Sequence, residues 1–433
     1  DLVLDLYERP LIDSEVPPLG YARTRGSTAE LEAKIERLAT QVGTINKPRY
    51  FSFDERLCAH DRQGVPGCRN CLDACPADAI QVEDGGIAID PYLCRGCGTC
   101  TLVCPTGAVR CARPKPRVTL QLMAEAIGGV PGALRGGTQP GPVLAIHAGE
   151  APALGIPAGV PTLTVPALGS VGIELWFSAL ALGASRILIL RSGLLTPTGV
   201  RLIEQQVDLA RRLLCALGEA PERIRLVADT SRLDWGGLPN PWVPVDPIRL
   251  ALAEGKRALL LAALGHLAEY LPELSDRLAL NDGGPFGEIL CEAQRCTLCQ
   301  ACVGICPTGA LRTRAGALTF TEADCVQCGL CVNACPERAL VAAPYFDPDA
   351  VLSRDERILK EASDIFPCVV CGAPVGPRSL VEGSIARVRD HPMFQGDGLR
   401  LLQMCMSCRQ KATVGLNRAT PAQLTQPEEE NQR

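Results

Sequence analysis

Cysteine carries the chemistry of this chain. The pattern Cys68-x2-Cys71-x3-Cys75-Pro76 with Cys94-x2-Cys97-x2-Cys100-x3-Cys104-Pro105 recurs as Cys299-x2-Cys302-x3-Cys306-Pro307 with Cys325-x2-Cys328-x2-Cys331-x3-Cys335-Pro336. Every pair shares one offset, 231 residues, from 68 to 299 through 104 to 335. Thiolates are soft ligands for iron and zinc, and thiols also pair as disulfides. A structural zinc takes four ligands in two pairs, not eight in an interleaved array, and disulfides would not demand a constant offset. The spacing points instead to iron-sulfur clusters. The proline after each last cysteine, with a fixed φ and no N–H to offer, ends the turn.

The copies differ at one place. The second has Cys296 at the head of its first run, whereas the equivalent position of the first holds Val65, and the nearest cysteine upstream is Cys58. Gly64, Pro66 and Gly67 lie between Cys58 and Cys68 and predict a loop that returns Cys58 to the vacant position. His60 is the alternative ligand there.

Each copy resembles the C-x2-C-x2-C-x3-C-P runs of bacterial two-cluster ferredoxins, in which the fourth cysteine of one run ligates the other run's cluster. That resemblance implies four 4Fe-4S clusters. Their ligands would be Cys58, Cys68, Cys71 and Cys104; Cys94, Cys97, Cys100 and Cys75; Cys296, Cys299, Cys302 and Cys335; and Cys325, Cys328, Cys331 and Cys306. With four cysteines each, no iron is left open for substrate, so the expected work is single-electron transfer. The C-x3-C-x2-C run of a radical-generating cluster is absent from the sequence.

The elements that must hold these cysteines are legible as five segments. Residues 1–48 open with a strand over Asp1 to Leu6 and a Pro/Gly-rich connector. A Ser27/Glu30 capping box then starts a helix with Leu31, Ile35, Leu38 and Val42 on one face, expected to cover a ferredoxin-like unit. Residues 49–116 form the first unit, with a turn at Asp84-Gly85-Gly86 before the strand Ile87 to Ile89. Residues 286–345 form the second, with Gly316 before Leu318 to Phe320. Between them, residues 117–285 alternate buried strands (143–146, 163–165, 187–190, 224–227) with helices (171–182, 200–217), the pattern of an α/β parallel sheet. Asp246-Pro247 starts a further helix that breaks near Gly255. No G-x-G-x-x-G or P-loop occurs there, so neither flavin nor NAD is expected.

In the last segment, 346–433, Cys368-x2-Cys371 and Cys405-x2-Cys408 supply four thiolates for a structural zinc in a zinc-ribbon-like module, with a rubredoxin-like iron as the alternative. After Thr413 the chain turns polar and runs to Glu428-Glu429-Glu430, an expected disordered end. Cys111, Cys215 and Cys291 stand alone and are expected to be buried structural cysteines, although Cys291 is close enough to Cys296 to compete as a ligand. The fold class is thus α+β multidomain: two ferredoxin-like units flanking an α/β domain, with a small metal module behind.

Net charge is −5 and the pI near 5.6, which offers nothing to nucleic acid or an anionic membrane. The longest apolar run, 258–264, is far too short to span a bilayer. Unoxidised thiolates in this number indicate a cytoplasmic setting. The first residue is Asp1, not Met, which leaves room for a preceding leader or domain.

Two further resemblances follow from particular residues. The stretches Val165-Pro166-Ala167-Leu168-Gly169, Ala181-Leu182-Gly183-Ala184 and Ile187 to Leu190 are similar to the delta subunit of methyl-viologen-reducing hydrogenase. That family holds an extra cluster nearby, but Ala167 and Ser192 stand where its cysteines would be, so the likeness implies a fold and a docking role only. The whole order, with Cys58-Ala59-His60, Phe286-Gly287, Cys296-Thr297-Leu298-Cys299, Cys325-Val326-Gln327-Cys328-Gly329 and Leu402-Gln403-Met404-Cys405, resembles bacterial 4Fe-4S dicluster proteins that accompany molybdenum or tungsten formate dehydrogenases. It implies a relay between a catalytic subunit and a redox acceptor or donor. The alternative is a non-catalytic assembly, maturation or redox-sensing factor for a molybdenum enzyme.

Overall fold

A computed structural model describes residues 2–416, apart from 45, 84, 131–136, 150–153, 192–194, 272–273, 275–276, 281–283, 315 and 396. Asp1, Asp84, Ser192 and the acidic end at Glu428 to Glu430 therefore lie outside the described residues.

The middle of the chain is a four-stranded parallel sheet. Its strands run in the order Thr162–Thr164, Val143–His147, Arg186–Leu190, Ile224–Val227. The two inner strands are buried at all five positions, as expected of a parallel sheet covered on both faces. Leu144, Ile146, Ile187 and Ile189 face the main core, while Val143, Ala145, Leu188 and Leu190 face a smaller one. Helix Ile173–Ala181 is apolar nearly all round and wholly buried, packed between the sheet and helix Lys256–Ala268. Helix Pro197–Ala216 is amphipathic and buries Ile203, Ala210, Leu213 and Leu214.

Most strand and helix expectations in this region are met within two residues or so at each end. Asp246 does cap a helix, accepting from the Ile248 N–H at 2.8 Å; this helix stops at Ala251, and a new one starts after Gly255, whose φ is +94°. Helix Pro116–Gly128 went unforeseen. Pro116 sits in its first turn, where a missing N–H costs nothing, and it buries Leu120, Met123 and Ile127.

Each cysteine-rich unit is built from two antiparallel strand pairs. In the first, Phe51–Phe53 pairs with Val109–Cys111 and Ile80–Glu83 with Gly86–Ile89. In the second, Gly287–Cys291 pairs with Leu340–Phe346 and Leu311–Arg314 with Ala317–Thr321. The second unit is larger, because Leu278–Ala279 and Glu356–Lys360 add to its sheets. The chain therefore has no structural break at 345/346.

The units are not beads on a string. The main core runs from the central sheet into the first unit through Ala74 and Leu102, and into the second through Ala323, Phe346 and Val351. Two consecutive residues at the start of helix Lys256–Ala268 reinforce this. Lys256 Nζ donates to the carbonyls of Thr101 and Leu102, both at 2.7 Å, in the first unit. Arg257 donates to the carbonyl of Ala323 (2.8 Å) and lies 4.1 Å from the Phe286 ring centroid, both in the second, and donates to the carbonyl of Pro285 (2.7 Å) just before it.

At the amino end, Val3–Asp5 pairs in parallel with Tyr21–Arg23. Buried Asp5 accepts from the Tyr21 hydroxyl and from the Tyr7 and Leu11 N–H groups. The capped helix forms over Thr28–Ala39, but of its expected face only Leu38 is buried; Ile35 is 48% exposed and Val42, beyond the helix end, 75%. It is the connector that straps the first unit: Ser14 and Val16 donate to the Pro76 carbonyl, and Arg95 donates to that of Pro17. Among the described residues no helix is long and apolar enough to cross a membrane.

Replacing Arg257 with Met keeps the apolar stem and removes two charge-assisted hydrogen bonds. The expected loss is about 3 kcal/mol, at about 1.5 kcal/mol for each bond. Urea unfolding of the anaerobically prepared protein measures it; a loss below about 1 kcal/mol would mean the clamp is incidental.

Candidate iron-sulfur and metal centres

The structure brings the sixteen cysteines of the doubled pattern into four quartets. Cys58, Cys68, Cys71 and Cys104 line one cavity, and Cys296, Cys299, Cys302 and Cys335 line another. In the other two the thiols crowd each other: Cys97, Cys94 and Cys75 act on Cys100, and Cys325, Cys328 and Cys306 act on Cys331.

Local backbone geometry explains the x2 spacing. The repeat keeps left-handed residues at matching positions, whatever the side chain: Asp78 and Gly309, Gly96 and Gln327, Gly98 and Gly329, Gly107 and Arg338. Gly96, Gly98, Gln327 and Gly329 reverse the chain between cysteines, and Asp78, Gly107, Gly309 and Arg338 reverse it just after the proline that ends a run, turning N–H groups inward. Ala79 and Ala339, each four residues after the cysteine it meets, donate to Cys75 Sγ and Cys335 Sγ, each at 3.3 Å. The Gln327 amide adds a bond to Cys325 Sγ at 3.4 Å.

The predicted loop after Cys58 is a small hairpin, Asp61–Arg62 against Val65–Pro66, turned through Gln63 and Gly64, both with positive φ. Its base is tied by the Cys68 N–H to the Ala59 carbonyl at 2.7 Å, which sets Cys58 beside Cys68. His60 reaches the same cavity, but its Nδ1 is engaged with the Cys68 carbonyl at 2.9 Å. It braces the hairpin, and the quartet is complete without it.

Do these residues suit iron-sulfur clusters? Burial, then the fields of neighbouring thiolates, pushes Cys71, Cys302 and Cys325 up to about 12 and Cys100 and Cys331 well above the ordinary range. For Cys325, nearby Arg257 partly opposes this. Thiols so placed stay protonated unless positive charge arrives with the ligand. Tetrathiolate quartets lined by N–H donors fit a cluster on both counts.

The fifth quartet is different. Cys368, Cys371, Cys405 and Cys408 offer sulfur atoms all within 4.8 Å of one another. The first pair sits at the turn of the hairpin Ile365–Pro367/Pro374–Pro377, but the second opens helix Met406–Leu416. A zinc ribbon would place both pairs on hairpins, so the expected ribbon form does not hold; helices Arg378–Val388 and Asp397–Leu402 fill the interval instead. Cys368 is held down at about 6, chiefly by the Cys405 N–H, while donating its own proton toward Cys371 and Cys405 pushes Cys408 up to about 12. Four sulfur atoms this close together suit a cation.

The three remaining cysteines do not join a quartet. Cys215 is exposed on helix Pro197–Ala216, contrary to expectation, because its helical position faces away from the core residues Leu213 and Leu214. Cys111 is half-buried and contacts the Arg113 carbonyl at 3.4 Å. Cys291 ends an edge strand, with its thiol hydrogen-bonded to Cys296 but outside the lining of that cavity.

Models of the 4Fe-4S dicluster domain match residues 66–108 and 292–340. The chain carries two 4Fe-4S dicluster domains. It is an iron-sulfur electron-transport protein of ferredoxin type in those parts. Formate hydrogenlyase subunit 2 of Escherichia coli (strain K12) is 30% identical over 91 residues, 20% of this chain and 42% of that one. The formate dehydrogenase iron-sulfur subunit of Wolinella succinogenes is 34% identical over 70 residues, 15% and 35% of the two chains. Indolepyruvate oxidoreductase subunit IorA of Methanothermobacter marburgensis is 46% identical over 50 residues, 12% and 8%. The chain thus spans less than half the length of each of these curated relatives. The model match begins at 66, after Cys58.

If Cys58 completes its quartet, Cys58→Ser lowers iron by about four atoms per chain, whereas His60→Ala and Cys291→Ser leave it at the parental value. Iron and acid-labile sulfide assays on anaerobically purified variants decide between them.

Proposed function

We propose that this chain relays single electrons through four 4Fe-4S clusters as a partner or subunit of an oxidoreductase, with formate dehydrogenase as that enzyme. The carrying observation is the four cysteine quartets, each with a full set of four thiols. The clusters, when bound, accept and release one electron at a time. The chain's own residues hold them, exclude water and aim N–H donors at sulfur, which tunes their potentials. Relatives named as subunits of formate hydrogenlyase and formate dehydrogenase support the choice of partner.

The central sheet serves as the docking body, in keeping with its likeness to the hydrogenase delta subunit. Cys368, Cys371, Cys405 and Cys408 hold a structural zinc that fixes the carboxyl-terminal module against the second unit. That contact already runs from Arg387 to Glu337, which also accepts from Thr297 at 3.3 Å.

Metal analysis of the anaerobic protein is expected to give about 16 irons and one zinc per chain. Formate should then bleach the visible absorbance only when formate dehydrogenase is also present. Reduction by formate alone, or little iron with several zincs, would sink the reading.

A further inference from the structure

The second copy shows how a unit completes its first quartet without an insertion: Cys296 lies three residues before Cys299. The first copy spends a ten-residue excursion, from Cys58 to Cys68, on the same task. The hairpin in that excursion does more than return the chain. Its strand Val65–Pro66 packs on the second unit's helix Leu330–Asn333. Asn333 Nδ2 donates to the Pro66 carbonyl at 2.7 Å, across 267 positions of sequence. A Cβ on Gly67 would meet the Leu330 side chain at 2.8 Å, so that side chain of the second unit packs directly on the Gly67 backbone. Ala59, Ile305 and Leu330 form a small buried cluster there, against which Val65, Cys68, Cys328 and Ala334 pack.

Cys68 belongs to a quartet of the first unit and Cys328 to one of the second. We propose that the 59–67 hairpin is a docking joint that sets these two quartets face to face, with Cys68 and Cys328 at the crossing, so that all four centres stand in one series. This rests on the iron-sulfur reading above. Within the first unit Cys100 is close enough to feel Cys71, and within the second Cys331 feels Cys302. Across the joint Cys68 feels Cys328, and Arg62 of the hairpin acts on both Cys58 and Cys328. The order is therefore the Cys94/97/100/75 quartet, the Cys58/68/71/104 quartet, the Cys325/328/331/306 quartet and the Cys296/299/302/335 quartet. An electron crossing the joint oxidises one unit and reduces the other by one equivalent, with no bond broken and no proton moved.

The series has two ends of different character. The first lies against the central domain, where Thr101 donates to the Gly169 carbonyl at 3.2 Å and Gly98 abuts Ser170. The other lies against the carboxyl-terminal module, with Pro377 lining the last cavity.

The test is EPR relaxation of the full anaerobic chain, reduced stepwise with dithionite, beside Val65→Asp/Asn333→Ala and Asn333→Ala alone. Neither residue is a cysteine ligand, and the Asn333 side chain is exposed. The double variant should keep parental iron and sulfide and the spin coupling within each unit, while losing the relaxation enhancement that one unit exerts on the other. Unchanged enhancement at parental iron would overturn the joint. Should the double variant lose iron, Asn333→Ala decides in the same way: weaker enhancement at parental iron supports the joint, and parental enhancement or iron loss refutes it. A parent protein lacking iron removes the electron-transfer reading and the joint together, whereas a parent with full iron and no enhancement between units removes the joint alone.

Discussion

Sixteen thiols are packed four at a time, and the most deeply placed of them resist ionisation. Where the packing is tightest a thiolate must leave water and face its neighbours, and both effects drive the pKa upward, to about 12 at Cys71, Cys302 and Cys325. Only positive charge delivered into the quartet reverses that balance, so ligand binding and folding of these units are one equilibrium. The cysteine-rich cores are correspondingly thin. In the first unit the apolar residues fully buried about the cysteines are few, chiefly Phe51, Ile80, Ile87, Ala108 and Val109. A unit with so little hydrophobic filling depends on its metal and on its neighbours.

The neighbours are supplied by the central sheet. Among the described residues its core is the most extensive, and that core extends into both units. Lys256 and Arg257 then tie the two units to one helix end by four hydrogen bonds to main-chain carbonyls. Burial lowers Arg257 to about 10, and the Cys325 thiolate is first among the groups that oppose the shift. The cation stays charged, and it stands where a thiolate quartet carries negative charge. Attachment of the second unit and electrostatics of its quartet thus meet in one side chain.

What the sequence made legible follows from how local each signal was. The cysteine runs, the inner strands of the sheet and the Ser27 and Asp246 caps are set by residues within a few positions of one another, and they appear where spacing placed them. The helix of residues 28–39 formed as its capping box required, yet its apolar stripe did not find the cover assigned to it. Periodicity states which face is apolar, not what lies opposite. The carboxyl-terminal module failed as a ribbon for a related reason: two CxxC pairs specify a tetrahedron of sulfur, and either a hairpin or a helix start can present a pair. Strand Glu356–Lys360, which joins a hairpin about 40 residues upstream, left no mark in local pattern at all.

The break in the repeat has the same lesson in sharper form. Two copies with identical cysteine geometry present the same surfaces, and nothing in the shared pattern says how one copy should meet the other. A contact between unlike faces requires some element that one copy has and the other lacks. Val65, where the pattern called for cysteine, marks that element: Cys58 lies at one foot of the hairpin, and the hairpin's other strand rests on the second unit. An irregularity that reads as a missing ligand in sequence is, in three dimensions, where the two copies become asymmetric. In the proposed series the asymmetry would make the ends distinguishable, one against the sheet and one against the Cys368/Cys408 module, as a relay between two different partners would require.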